Sequence, residues 1–142
     1  MENLTHRKIQ VVVIGGENLN KLLLLQTNTD RDEYWQNVTG SVDEGETFYS
    51  AAKRELEEET GIVATLVELN LQFEFTDRWK KDVLEKVFLA KVEEEEIEIK
   101  ISREEHQDYK WLLLKEVTRE SFGYESNWKS FSVARDWLED NC

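Results

Sequence analysis

The stretch from Gly40 to Ile62, GSVDEGETFYSAAKRELEEETGI, constrains the possible folds more than any other part of the chain. Its first residues form a glycine-containing loop, and the residues from Thr47 to Thr60 are good helix formers. Thr47 is placed to cap the start of a helix, and Gly61 is placed to adopt the left-handed conformation after its end. The sequence therefore predicts a loop followed by one helix with defined ends.

One side of this predicted helix is strongly acidic. Glu55, Glu58 and Glu59 stand at positions i, i+3 and i+4, so their carboxylates share one face and repel one another. Arg54 can reach Glu58 at i+4, but one cation cannot neutralise three anions. An ordinary amphipathic helix with a solvated acidic side explains the pattern, and its packing face is supplied by Phe48, Ala51, Ala52 and Leu56.

A divalent-cation site is the competing interpretation of the same carboxylates. Mg²⁺ prefers carboxylate and carbonyl oxygens plus water, and it commonly bridges protein carboxylates to phosphates of a substrate. The glycines at 40 and 45 allow the loop backbone to approach the helix closely, so the carbonyl of Gly40 is a further candidate ligand. The residues alone leave both interpretations open.

The remaining apolar segments predict a mixed sheet. Residues 9–14 (IQVVVI) and 21–26 (KLLLLQ) flank a short connection and predict one hairpin. Residues 62–76 and 84–92 predict a second hairpin across a polar turn. Residues 97–101 (IEIKI) alternate as a strand does, and residues 108–114 predict a further strand.

A second helix is predicted near the end of the chain. Phe131, Ala134 and Leu138 recur at spacings of three and four, which is typical of an amphipathic helix, with Ser126 or Asn127 as its cap. No linker composition or internal repeat divides the sequence, so we expect residues 1–142 to form a single α/β (α+β) domain with two helices on a mixed sheet.

Composition excludes several classes of function. The net charge of −13 disfavours a protein that binds long nucleic acids through their phosphates, because such binding relies on basic side chains. The apolar runs are too short to cross a bilayer, and the first residues lack the apolar region of a signal peptide, so we expect a cytoplasmic protein. The single cysteine, Cys142, excludes an intrachain disulfide.

Other polar and aromatic groups carry weaker signals. The four adjacent glutamates at 93–96 predict a solvated turn rather than a metal site. His6 and His106 are too few and too isolated in the sequence to indicate a zinc site. The five tryptophans are mostly core candidates, although Trp79 in a polar turn can stack on a base.

The stretch from Gly40 to Ile62 resembles the Nudix box, G-x5-E-x7-R-E-U-x-E-E-x-G-U, where U is a bulky aliphatic residue. All nine defined positions match, namely Gly40, Glu46, Arg54, Glu55, Leu56, Glu58, Glu59, Gly61 and Ile62. A match of this length is far more specific than a short glycine pattern. The resemblance implies a Nudix hydrolase with an α/β/α sandwich, in which a mixed sheet lies between helices.

The resemblance also implies roles for individual residues. In Nudix enzymes the box helix holds Mg²⁺ or Mn²⁺, which gives Glu55, Glu58 and Glu59 as metal ligands. Arg54 then orients the carboxylates, and Glu46 stabilises the loop and the helix. Many Nudix enzymes supply one more glutamate as a metal ligand or general base. Here that residue is predicted to be Glu105, with the neighbouring Glu104 as its competitor.

The substrate is indicated by a looser resemblance. WQNVTGSVDEGET and EHQDYKWL are similar to segments of bacterial dihydroneopterin triphosphate pyrophosphatases. This implies cleavage of a nucleoside or pterin triphosphate between its α and β phosphates, with Arg78 and Trp79 as candidate substrate-binding residues. Dinucleoside polyphosphates, nucleotide sugars and oxidised nucleotides remain alternative substrates, and a non-catalytic nucleotide-binding domain is the alternative class. Both a monomer and a homodimer are compatible with the sequence.

Overall fold

The computed structural model describes residues 5–28 and 33–141. Cys142 lies outside the described residues. Within them the chain forms seven strands, two α-helices and two single 3₁₀ turns. The strands are β1 (His6–Gly15), β2 (Lys21–Thr27), β3 (Trp35–Gln36), β4 (Val38–Ser41), β5 (Leu66–Thr76), β6 (Asp82–Val92) and β7 (His106–Leu113). The helices are α1 (Phe48–Thr60) and α2 (Glu125–Asn141), and the 3₁₀ turns span Leu114–Glu116 and Arg119–Ser121.

Strand β1 lies at the centre of a mixed sheet. It runs parallel to β6 along its whole length and antiparallel to β2 and β4, which share its other edge. Strand β5 extends the sheet beyond β6, while β3 and β7 both pair with β2. The two predicted hairpins, β1–β2 and β5–β6, are confirmed.

The two helices cover opposite faces of this sheet. The buried side chains of Ile9, Val11 and Val13 pack in one apolar cluster with Ala51, Ala52 and Leu56 of α1. The intervening Val12 and Ile14 pack in a second cluster with Phe131, Ala134 and Leu138 of α2. Because both faces are covered, β1 is apolar at every position from Ile9 to Ile14 except Gln10, rather than at alternate ones. The predicted α/β/α sandwich and the packing face of α1 are confirmed.

Helix α1 has the predicted ends. The Thr47 hydroxyl accepts a hydrogen bond from the Ser50 N–H at 3.0 Å, which satisfies one of the free donors at the start of the helix. Gly61 has φ 79° and donates its N–H to the Glu57 carbonyl, so the glycine ends the helix without steric strain. Both predicted ends of the helix are therefore confirmed.

Three predictions about the strands are wrong. Residues 97–101 form no strand, because Ile97, Ile99 and Ile101 pack against the α1 side of the core while their backbone lacks a ladder partner. Residues 62–65 precede β5 rather than belonging to it. The loop predicted from Gly40 begins later, because Gly40 and Ser41 end β4, which pairs with β1.

The predicted cap of the second helix is also wrong. Helix α2 begins at Glu125, so Ser126 and Asn127 lie in its first turn. The Asn127 side chain instead accepts a hydrogen bond from the backbone N–H of Asn37 at 2.7 Å. A long-range contact therefore uses the group that the sequence assigned to local capping. Neither helix in the described part of the chain is long and apolar enough to span a bilayer.

Candidate active site

Arg54 connects the loop before α1 with the acidic face of the helix. Its Nε and Nη2 donate to the two carboxylate oxygens of Glu46 at 2.8 and 3.0 Å. Its Nη1 donates to Glu55 at 2.9 Å and to Glu58 at 3.1 Å, and its Nη2 also reaches the carbonyl of Ser41 at 2.9 Å. The planar guanidinium is suited to such a fork of contacts. Arg54 thus fixes two glutamates of α1 relative to the end of β4.

Glu46 holds the loop in place. Besides the paired contact with Arg54, it accepts the backbone N–H of Asp43 at 2.9 Å. The hydrogen bond from Arg54 is the main reason that the pKa of Glu46 is lowered to about 2, with the Asp43 N–H as a second cause. Glu46 is therefore ionised at neutral pH, and its negative charge offsets much of the positive charge of Arg54.

Glu59 is the most deeply buried of the helix carboxylates, with 2% of its side chain exposed. Burial raises its pKa, and the nearby carboxylates of Glu105 and Glu55 raise it further. The pKa of Glu55 is raised by burial as well, although Arg54 opposes that shift. Among the described residues, Glu59 Oε2 has no hydrogen-bond partner. The carboxylates of Glu55, Glu59 and Glu105 therefore converge at a place where burial and mutual repulsion disfavour the ionised forms of Glu55 and Glu59.

The side chain of Glu55 packs directly against the backbone of Gly40. A Cβ atom at this position would overlap the Glu55 side chain, including its carboxyl carbon. The backbone conformation of Gly40 is ordinary for a strand, because its φ is not positive. The glycine is required here for close approach between the strand and the carboxylate rather than for an unusual φ. The structure thus places Gly40, Glu55, Glu59 and Glu105 together.

His106 belongs to the same cluster, which sequence reasoning missed. It is isolated in the sequence but buried in the fold, where its Nδ1 lies 3.6 Å from Glu59 Oε1. One ligand atom each of Glu59, Glu105 and His106 lies within 4.8 Å of the others. Its position directly after Glu105, two residues before the strand predicted at 108–114, was the one available signal. His106 is thus isolated in the sequence but not in the fold.

The cluster fits a divalent cation. Carboxylate oxygens are the ligands that Mg²⁺ and Mn²⁺ take, and Glu59 Oε2 is a buried acceptor without a donor among the described residues. A bound cation would lower the raised pKa values of Glu55 and Glu59 by favouring their ionised forms. The observations that support a metal here are the buried Glu59 oxygen without a hydrogen-bond donor and the raised pKa values of Glu55 and Glu59.

Other predicted site residues lie at the edge of the cluster or away from it. The side chain of Glu58 is 57% exposed and contacts Arg54. Glu104 is exposed, whereas Glu105 is partly buried next to Glu59. Arg78 and Trp79 occupy the turn between β5 and β6, where the guanidinium lies 4.4 Å from the indole centre and Trp79 is 67% exposed. No described contact joins this turn to the carboxylates. Residues 93–96 are exposed, as predicted.

Comparison with known sequences gives relatives of several kinds. The chain is 46% identical over 61 residues to the dihydroneopterin triphosphate diphosphatase of Escherichia coli strain K12, a match that covers 43% of this chain and 40% of that enzyme. It is 40% identical over 102 residues to the asymmetrical bis(5′-nucleosyl)-tetraphosphatase of Mus musculus, covering 68% of this chain and 67% of that protein. The chain thus spans less than half the length of the E. coli relative in this alignment.

Solved structures extend the likeness to the whole fold. The E. coli dihydroneopterin triphosphate pyrophosphohydrolase superposes with a TM-score of 0.75 at 31% identity, over 89% of this chain and 92% of that one. The Ap4A hydrolase of C. elegans superposes with a TM-score of 0.79 at 23% identity, over 96% and 99%, and shows the fold alone. The NUDIX domain profile matches residues 4–132. The match covers most of the chain, and the residues of the complete box fold around Arg54. The chain therefore belongs to the NUDIX domain family.

Proposed function

We propose that this protein is a divalent-metal-dependent pyrophosphohydrolase that cleaves a nucleoside or pterin triphosphate between its α and β phosphates. The products are a monophosphate and pyrophosphate. The observation that carries the proposal is the convergence of the carboxylates of Glu55, Glu59 and Glu105 beside Gly40, where burial raises the pKa of Glu55 and of Glu59. The choice of triphosphate is supported by the likeness to the E. coli enzyme in sequence and in fold.

The residues that would hold the ion are the carboxylates of Glu55, Glu58, Glu59 and Glu105 and the carbonyl of Gly40. Mg²⁺ or Mn²⁺ would neutralise phosphate charge and lower the pKa of a coordinated water. Arg54 orients Glu55 and Glu58 through its two Nη1 contacts. The chain is acidic overall, so it would repel a polyphosphate without the cation.

The chain's own contribution to the chemistry is proton transfer and positioning. Glu105 accepts a proton from water as the water oxygen bonds to one phosphorus of the α–β bridge. The bond from that phosphorus to the bridging oxygen breaks, and its electron pair leaves with the oxygen. Glu105 is suited to this task because it lies next to the buried Glu59, whereas its neighbour Glu104 faces solvent.

A dinucleoside polyphosphate is the second candidate substrate. The supporting observation is the likeness to the mouse bis(5′-nucleosyl)-tetraphosphatase, which extends over 68% of this chain, against 43% for the E. coli sequence match. The chemistry at the carboxylates is the same for both substrates, because each contains a phosphoanhydride next to a nucleoside or a similar group.

A substrate panel tests the proposal. The protein is incubated with Mg²⁺ and nucleoside triphosphates, dihydroneopterin triphosphate, a dinucleoside tetraphosphate or a nucleotide sugar, and the products are identified by ³¹P NMR. We expect a monophosphate and pyrophosphate from the triphosphates. Turnover of the dinucleoside tetraphosphate with triphosphates untouched favours the second candidate. Absence of turnover throughout the panel, with Mg²⁺ and with Mn²⁺, contradicts the proposed activity.

A further inference from the structure

A cavity of about 550 Å³ lies on the α2 side of the sheet, apart from the carboxylates of α1. Its walls include the aromatic rings of Phe73, Phe75 and Tyr124, and its polar lining includes Lys8 and Glu85. Aromatic rings are surfaces on which a flat heterocycle stacks. Glu85 is 6% exposed, so this cavity has a buried carboxylate in its wall. Such a carboxylate needs hydrogen-bond donors to remain charged.

A chain of hydrogen bonds sets the orientation of the polar groups behind Glu85. The backbone N–H of Asn37 donates to Asn127 Oδ1, and Asn37 Nδ2 lies 3.3 Å from the carbonyl of Asn127, which can only accept. Asn37 Nδ2 must then donate to Gln10 Oε1, at 2.8 Å. This leaves Gln10 Nε2 as the donor to Glu85 Oε1, at 3.1 Å. Because backbone groups determine the direction at one end, the amide assignments follow without ambiguity.

The network leaves Glu85 able to accept more hydrogen bonds. Gln10 is the only hydrogen-bond donor to Glu85 within residues 5–28 and 33–141, while an ionised carboxylate has about four acceptor positions. Burial raises the pKa of Glu85, whereas Lys8 and Gln10 lower it. A ligand that brings N–H donors would therefore satisfy a carboxylate that the protein alone leaves partly unpaired.

Two residues in the wall of the cavity adjoin residues of the proposed catalytic site. Gln36 lines the cavity, and its Nε2 lies 3.4 Å from the Nε2 of His106, whose other nitrogen faces Glu59. Thr39 also lines the cavity, and the next residue, Gly40, supports Glu55. A molecule with a ring in the cavity could therefore extend its phosphates toward the carboxylates of α1.

We propose that this cavity binds the heterocycle of the substrate, and that Glu85 selects a ring in which a ring N–H stands next to an exocyclic amino group. Guanine and pterin share this edge, which presents two adjacent donors to one carboxylate. Adenine and cytosine present one donor beside a ring acceptor, and uracil presents one N–H between two carbonyls, so none of them can make the paired contact. The inference rests on the proposed function only in taking the ligand of the cavity to be a substrate.

Equilibrium binding of monophosphates tests the selection directly. Guanosine, inosine and adenosine monophosphates and dihydroneopterin monophosphate are titrated calorimetrically into the protein with Mg²⁺. They are products of the proposed reaction, so they are not consumed. Inosine differs from guanosine only in lacking the amino group. A paired contact with a carboxylate predicts that guanosine monophosphate, dihydroneopterin monophosphate or both bind about 10- to 100-fold more tightly than inosine and adenosine monophosphates. Comparing the affinities of guanosine monophosphate and dihydroneopterin monophosphate shows whether the cavity prefers guanine or pterin.

Two variants complete the experiment. Glu85→Gln keeps the size of the side chain but replaces one acceptor with a donor, so the preference over inosine monophosphate should fall to less than about threefold. Glu74→Gln is the matched control, because Glu74 lines the same cavity but is exposed, and the preference should persist. Equal affinities of the wild-type protein for all four ligands overturn the inference, as does a preference that survives Glu85→Gln. Selective binding without hydrolysis of any triphosphate would reject the proposed function and leave this inference standing.

Discussion

Replacing Gly40 with alanine should disable the site without unfolding the protein. The added Cβ would overlap the carboxyl carbon of Glu55, and ordinary carbon contacts of about 3.5–4.0 Å require that group to retreat by roughly 1 Å or more. A misplacement of about 1 Å typically costs about 100-fold in rate, so we expect a loss of that order in turnover. The overlap involves one side chain rather than backbone, and the φ of Gly40 suits alanine, so the melting temperature should fall little.

Gly45 offers the matched control. Its φ is 83°, but a Cβ there would meet no atom within 4 Å. Gly45→Ala should therefore cost about 1 kcal/mol of stability through backbone strain, while turnover at saturating Mg²⁺ stays close to that of the wild type. Steady-state kinetics over a Mg²⁺ titration, with thermal melts of both variants, measures the contrast. Wild-type turnover by Gly40→Ala at limiting Mg²⁺ would refute the argument that Glu55 must lie against this glycine.

Three further predictions concern the charged groups of the site. The raised pKa of Glu59 means that the native state binds more protons than the unfolded state above the ordinary glutamate value of 4.5, so metal-free stability should fall as pH rises from 5 to 8. Glu59→Gln should flatten that dependence in urea denaturation, and an unchanged slope would contradict the assignment. Glu105→Gln should lower turnover about 100- to 10,000-fold at saturating Mg²⁺ while Glu104→Gln is nearly silent, and the reverse pattern in initial-rate assays would remove Glu105 as the base. Arg54→Lys should raise the Mg²⁺ concentration needed for half-maximal rate, because lysine cannot reproduce the paired contact with Glu46; an unchanged Mg²⁺ dependence would show that the contact is dispensable.

The parts of the fold that follow from local sequence could be predicted. Helix α1 was predicted with both ends, because Thr47 and Gly61 act on the backbone within a few residues of themselves. The hairpins β1–β2 and β5–β6 likewise join neighbouring segments. The alternation at residues 97–101 was misleading, since an extended segment can bury every second side chain without joining a sheet.

Groups brought together over long distances could not be predicted from periodicity. The short strands β3 and β4 form only because β2 and β1 offer them an edge. His106, at the start of β7, meets Glu59 of α1 across a long separation in the sequence. The hydrogen bonds from Asn127 through Asn37 and Gln10 to Glu85 join α2, β1 and β6 through the residue between β3 and β4. The acidic helix face was visible in the sequence, whereas its burial against Glu105 required the fold.

Binding of Mn²⁺ tests the central claim most directly, because it needs no knowledge of the substrate. The electron paramagnetic resonance signal of free Mn²⁺ is measured while Mn²⁺ is titrated into the metal-free wild-type protein and into Glu59→Gln. Glu104→Gln is the control, because it removes the same charge from an exposed residue beside the site. If the carboxylates of α1 hold the catalytic cation, the wild-type protein and Glu104→Gln bind Mn²⁺ alike, and Glu59→Gln binds it at least about tenfold more weakly. Equal affinity of Glu59→Gln and the wild-type protein would contradict the account.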